Sequence, residues 1–382
     1  MSDLAVCFDE LPTRGGGRIG VARLNAPKAL NALSLEMIQL LADKLDAWAV
    51  DPRVVAVWLE GSGDKAFCAG GDVVALYRSL QEAGSSDFPE TYFTAEYRLD
   101  HRIHTYPKPL LVWGDGIVMG GGLGLMAGGF QRLVTETTLI AMPEITIGLY
   151  PDIGASWFLG RMPKGIGAYL GLTGAQLNAR DALDLGMADR FVPRERRDDL
   201  LGALAEADYG ERDVSTCRRV AMAALDRFEA RQQAPDGQVW RHRDHLQAMV
   251  DRSDVTEAVS RLLADHSDDP WLAANRSRLE TGCPMTAHLV WRMLERHRRG
   301  SLADAFRDEL ALSVQCCHRG DLAEGVRALL IDKDKQPRWS HRDVASVPET
   351  EVRALMTSPW EDEKHPLRDL GVGQRIQYKT HQ

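Results

Sequence analysis

What this sequence lacks narrows its reading first. Its six cysteines, Cys7, Cys68, Cys217, Cys283, Cys316 and Cys317, form no C-x-x-C pair. They carry neither a zinc-ligand spacing nor a dithiol redox motif and read as reduced thiols of the cytoplasm. The start, Met1-Ser2-Asp3-Leu4, shows no apolar secretory segment. Positive charge is in deficit: 46 basic against 55 acidic residues leave a net charge of -9. That balance repels a phosphate backbone, so nucleic acid is not the expected partner. The run from Leu110 to Phe130 holds a single charge, Asp115, but also eight glycines, and so predicts a loop rather than a membrane helix. No internal repeat or low-complexity tract is present.

What is there suits a large α/β protein. With 382 residues, 44% of them hydrophobic, the chain exceeds the needs of one compact domain, and a catalytic core with an appendage is expected. Ile19 to Leu24, Val54 to Glu60, Leu110 to Trp113, Arg132 to Thr135 and Thr138 to Ala141 suit buried strands. Between the first two, Ser34 can cap a helix whose Ile38, Leu41, Leu45 and Trp48 share one face. Strand, helix, strand makes a right-handed βαβ unit. From about Asp213 only helices are legible, among them Val255 to His266, Ala287 to His297 and Leu302 to Cys317. The charged run Arg194 to Asp199 marks the change, which divides the chain into residues 1–205 and a helical region, 206–382.

Two glycine loops stand at strand ends. One is Lys65-Ala66-Phe67-Cys68-Ala69-Gly70-Gly71-Asp72, ahead of a helical stretch from Val73 to Leu80. The other runs from Gly114 through Gly120-Gly121-Gly122-Leu123-Gly124. Glycine lets backbone approach a ligand closely and point amide hydrogens at it. A carbonyl that passes through an enolate or a tetrahedral oxyanion needs such a pair of donors, each contributing about 3 kcal/mol. Taken singly, either loop is equally well explained as tight-turn chemistry. Neither has the G-x-G-x-x-G dinucleotide pattern, and the second lacks the P-loop Gly-Lys-Ser/Thr ending.

A third segment, Pro143-Glu144-Ile145-Thr146-Ile147-Gly148-Leu149-Tyr150-Pro151-Asp152, carries two carboxylates. A turn through Gly148 and Pro151 can bring Glu144 and Asp152 to one site, where burial and like charge raise one pKa into the working range. The plain alternatives are a helix-capping glutamate and a Pro-Asp turn. His101 and His104 lack further ligand partners, so no metal is expected. Cys68 has no histidine partner and reads as a small packing residue rather than a nucleophile.

Phe67 to Asp72, Met119-Gly120-Gly121-Gly122, Ala141-Met142-Pro143-Glu144 with Ile147-Gly148, and Leu24 to Leu33 together resemble the enoyl-CoA hydratase/isomerase (crotonase) superfamily over about residues 15 to 195. The resemblance implies an α/β spiral of ββα turns followed by the mainly helical region. It implies CoA bound in a bent pose as part of the substrate, with no separate cofactor, and an oxyanion hole from the amides of Gly71 and Gly121. Backbone near Lys28 and at Ala66, Cys68, Ala69 and Gly70 is expected to hold CoA.

Hydratases of this superfamily use two glutamates, and at the position of the first this chain has Gly124. Pro143 to Leu159 resembles instead the 3-hydroxyisobutyryl-CoA hydrolase branch, as does Glu324 to Asp334 with Pro337-Arg338-Trp339. That likeness implies a thioester hydrolase in which Glu144 attacks the carbonyl or activates water. Asp152 and Glu96 would hold the acyl hydroxyl. An isomerase using Glu144 alone and a catalytically silent CoA-binding protein are the competing readings. Crotonases often assemble, so a homo-oligomer is a possible form.

Overall fold

A computed structural model describes residues 4–82 and 87–372; the initial Met1-Ser2-Asp3 lies outside them. Strands alternate between two sheets. β1 (Val6–Pro12), β2 (Arg18–Leu24), β3 (Val54–Gly61), β5 (Leu110–Gly114), β7 (Gln131–Val134) and β9 (Arg190–Phe191) form the larger sheet in that order. β4 (Ala66–Cys68), β6 (Ile117–Met119) and β8 (Leu139–Ala141) form the smaller one. Each turn of the spiral lays one strand in each sheet and returns through helix. All pairings are parallel except β1 with β2.

The expected βαβ unit is present. β2 pairs in parallel with β3, and α1 (Leu35–Val50) crosses between them. Ser34 caps α1 by accepting from the Met37 amide at 3.2 Å. Met37, Ile38, Leu41, Leu45 and Trp48 are its buried face, each such side chain stabilising the fold by about 1.5–3 kcal/mol when fully buried. β1, β4, β6 and β9 were not anticipated. β4 and β6 are three-residue strands inside the glycine motifs, too short to show a period of two.

The last strand ends at Phe191. One core runs from Val6 to Leu370 and joins the spiral to the helices beyond it. A second lies on the outer face of the larger sheet, where Leu200 and Leu204 of one helix and Cys217, Ala221 and Leu225 of the next cover Trp58 and Trp113. The division expected after residue 205 therefore falls at the last residue of the helix Arg197–Glu206, which buries its face in the same sheet as the next helix, Val214–Asp226.

Candidate active site

β4 and β6 are parallel neighbours, with Ala66 opposite Ile117 and Cys68 opposite Val118, so the glycine loops leave the same sheet edge side by side. The first turns through Gly70 at φ +123° and the second through Gly120 at φ +45°, conformations that side chains rarely tolerate. Leu33 pins the first loop: its amide donates to the Gly70 carbonyl at 2.8 Å, and its carbonyl accepts from the Asp72 amide at 3.0 Å. Gly71 stands between these bonds, just ahead of α2 (Val73–Gln81). Gly121 opens α4 (Gly121–Ala127), where an amide has no partner within its own helix. Among the described residues neither amide donates to a backbone carbonyl. A methyl group on Gly121 would lie 3.2 Å from the Gly71 nitrogen. The two amides thus lie close together beside one cavity, a proximity that a shared oxyanion requires.

Three carboxyls face them. Glu144 begins a 3-10 turn, Glu144–Ile147, closed by Gly148 in the left-handed region. Its Oε1 would lie 3.0 Å from a methyl group on Gly120. Glu96 comes from α3 (Phe88–His104), with Oε1 2.3 Å from where a Gly121 side chain would begin. Asp152 accepts from the Tyr97 hydroxyl, also on α3. Glu96, Glu144 and Asp152 are 2%, 5% and 4% exposed. Burial, then the charge of Asp152, pushes the carboxyls of Glu144 and Glu96 well above their usual range. Burial raises Asp152 to about 6, against the lowering effect of the Tyr97 hydrogen bond. Three charges cannot share so small a space, and protons are distributed over the group.

The cavity they enclose is about 260 Å³ and is lined by Ala69, Gly70, Gly71, Glu96, Gly121, Glu144 and Asp152 together with Tyr92, Leu329 and Leu330. The structure does not bring the other expected contacts to it. Lys28 is exposed on a separate turn. Ala66 borders a different cavity with Arg23, Arg194 and Arg197. Cys68 is fully buried, its thiol directed at the Gly70 carbonyl and pushed up to about 12 by burial. Its own carbonyl is 2.1 Å from where a Gly122 side chain would begin, so α4 covers that carbonyl.

Sequence reasoning missed what supports these groups. Leu329 and Leu330 reach the cavity from a π-helical turn, Arg327–Ile331. Arg327 ties that turn down by pairing with Glu324, Asp332 and Asp334 at 2.8, 2.6 and 2.7 Å. Glu309, on the long helix Leu302–Arg319, accepts from the amides of Gly154 and Ser156 at 2.6 and 3.1 Å and from the Ser156 hydroxyl at 2.5 Å. It thereby holds the chain just after Asp152, where Ile153 sits at φ +58°. The signal was available: Leu302, Ala305, Phe306, Glu309, Leu312, Ser313 and Cys316 repeat at helical spacing and are all buried.

Gly124 also finds its explanation. A methyl group there would meet Asp100 Oδ2 at 2.7 Å. Asp100 is buried, one turn beyond Glu96 on α3, and neither of its oxygens has a partner among the described residues. Burial and the neighbouring Glu96 raise its pKa well above the usual range. The place of a side chain at position 124 is already filled by a carboxyl from another helix.

A family model for enoyl-CoA hydratase/isomerase matches residues 19–356. The chain belongs to the enoyl-CoA hydratase/isomerase family. Within that family its place is the hydrolase branch. It is 38% identical to the mitochondrial 3-hydroxyisobutyryl-CoA hydrolase of Gallus gallus, over 87% of this chain and 84% of the chicken protein. It is 37% identical to 3-hydroxyisobutyryl-CoA hydrolase 1 of Arabidopsis thaliana, over 87% and 88% of the two chains. A crystal structure of an enoyl-CoA hydratase from Rhodobacter sphaeroides superposes with a TM-score of 0.81 at 33% identity, covering 93% of this chain and 98% of that one. The enoyl-CoA hydratase/isomerase fold expected from the glycine motifs is therefore the fold found.

Proposed function

We propose that this chain hydrolyses a short-chain hydroxyacyl-CoA thioester, 3-hydroxyisobutyryl-CoA, to 3-hydroxyisobutyrate and CoA. One observation carries the reading: buried Glu144 and Asp152 face the amides of Gly71 and Gly121, which among the described residues donate to no backbone carbonyl, while position 124 carries no acid. In this reading the thioester carbonyl oxygen accepts from the amides of Gly71 and Gly121. Glu144 attacks the carbonyl carbon or takes a proton from the attacking water. The C–S bond breaks and CoA leaves as thiolate; the second oxygen of the product acid comes from water directly, or from the Glu144 carboxylate, which water then restores. Glu96 and Asp152 hold the acyl hydroxyl, fixing the carbonyl between donor pair and nucleophile. No cofactor or metal enters these steps.

The solved relative from Rhodobacter sphaeroides is named a hydratase. Hydration by paired glutamates would need an acid where Gly124 meets Asp100, which favours the hydrolase reading here. The six cysteines form no disulfide among the described residues, which supports a reducing compartment; the reading here is the cytoplasm, whereas the chicken relative is named mitochondrial. Among the described residues no helix is long and apolar enough to cross a membrane.

The test is thiol release from 3-hydroxyisobutyryl-CoA and 3-hydroxypropionyl-CoA by the wild type and by Glu144→Gln and Asp152→Asn. Each variant is expected to lose on the order of 10²- to 10⁴-fold in turnover while still binding CoA. Double-bond migration in a 3-enoyl-CoA without thiol release from either substrate would overturn the reading. After single turnovers in ¹⁸O water, label in the Glu144 carboxyl would identify the covalent route.

A further inference from the structure

We propose that Ser313, on the helix Leu302–Arg319, is a positioning residue for the reaction: its hydroxyl fixes the phenol of Tyr97 as the hydrogen-bond donor that aims and holds the Asp152 carboxylate. The proposal rests on the reading of Asp152 as a member of the reacting site.

The hydroxyls can be assigned one proton at a time. The Tyr97 hydroxyl donates to Asp152 Oδ2. Ser313 Oγ lies 2.7 Å from that same phenol oxygen and 3.0 Å from the phenol oxygen of Tyr150. Tyr150 in turn donates to the backbone carbonyl of Glu309 at 2.8 Å. Each hydroxyl carries a single proton. With Tyr150 committed to a carbonyl and Tyr97 to the carboxylate, only the Ser313 proton is left for the two serine–tyrosine contacts. A serine inside a helix ordinarily donates to the carbonyl four residues back, here that of Glu309; among the described residues Ser313 Oγ instead lies against the two phenol oxygens, closer to that of Tyr97. The serine proton is thus turned toward the tyrosines. A donor placed on the Tyr97 oxygen polarises that hydroxyl and strengthens its bond to Asp152. Ser313 is buried, so no exposed position competes for its proton.

Asp152 is surrounded by Glu96, Tyr97 and Asp100 from α3 and by Glu144 and Tyr150 from its own segment. The long helix adds Glu309, Cys316 and Cys317. Among these groups, Tyr97 is the one whose side chain donates a hydrogen bond to the Asp152 carboxyl. Weakening that bond must therefore move the titration of Asp152 upward.

The test is a double-mutant cycle with pH profiles of kcat and KM for the wild type, Ser313→Ala, Tyr97→Phe and the double variant. Both single substitutions remove one oxygen and preserve packing, and thermal melting with CoA binding confirms the fold of each. Tyr97→Phe is expected to lower kcat on the order of ten- to a hundredfold, with KM little changed and the acid limb of the profile moved to higher pH. Ser313→Ala should give a smaller loss and a smaller shift in the same directions. In the Tyr97→Phe background it should have no further effect. Losses that multiply in the double variant, or a Ser313→Ala enzyme with an unmoved acid limb, overturn the proposal. Failure of the underlying reading would show separately, as thiol release that survives Asp152→Asn.

Discussion

The spiral and the helices that follow it make unlike contributions to one cavity. Up to Phe191 the chain supplies the groups placed nearest the chemistry: the amides of Gly71 and Gly121 and the carboxyls of Glu96, Glu144 and Asp152. The later helices supply constraint. Glu309 holds the backbone after Asp152. Gly325 packs against Ile147 so closely that a methyl group would meet its carbonyl carbon at 2.3 Å, which fixes the turn bearing Glu144 from behind. Leu329 and Leu330 form part of the cavity wall. A backbone donor needs only a local turn to aim it, but a buried carboxyl needs neighbours on several sides, and these come from distant sequence.

That contrast can be broken from either side. The largest effect is expected in the spiral. Gly121→Ala would put a methyl group 2.3 Å from Glu96 Oε1 and beside the Gly71 amide. Turnover should fall about 10²- to 10³-fold, the loss typical of one oxyanion donor, and a variant with near-normal kcat would remove Gly121 from the site. In the helical region, Arg327→Ala leaves Glu324, Asp332 and Asp334 without their shared cation. It should raise KM several-fold with kcat largely kept, because it frees the turn carrying Leu329 and Leu330 and leaves the donors in place. A fall in kcat alone would assign those helices a direct part in the chemistry.

A third prediction concerns stability. The folded Asp152 titrates at about 6 against 3.8 for an ordinary aspartate, so between those values the folded state binds more protons than the unfolded chain. Stability then falls as pH rises through this window, and the penalty is complete above it. Asp152→Asn should therefore melt a few degrees higher than wild type at pH 7, with the difference vanishing near pH 4. An unchanged or lower melting temperature at pH 7 would mean that the carboxylate is not held against its preference. The smallest effect belongs to Lys28→Ala, an exposed residue away from the cavity. kcat should stay within twofold, with any change confined to KM.

What was legible in the sequence follows the same division. Glycine at positions 70, 71, 120 and 121 is dictated by backbone conformation and close approach, so it marks the loops wherever they fold. Glu144 and Asp152 lie close in sequence, and a single turn joins them. Glu96 was legible only through its resemblance to the hydrolase branch; by composition it could have been a solvated helix face, yet it is buried. Tyr97 and Ser313 stand 216 positions apart, and nothing local to either announces the other. Glu309 was readable as a carboxylate on an apolar helix stripe, but its partners at Gly154 and Ser156 were not. The three-residue strands β4 and β6 carry no strand signal, because two side chains on a face make no pattern.

The contact between Gly124 and Asp100 bears on how such a family diversifies. To place a carboxylate-bearing side chain at position 124, a lineage would also have to shrink or relocate Asp100, since the two claim the same volume. An acid at position 124 alone clashes with Asp100, whereas shortening Asp100 opens the space beside Gly124. A hydratase and a protein like this one are then separated by a pair of substitutions. The change at position 100 has to come first or at the same time, so the order of the two substitutions is constrained by the volume they share.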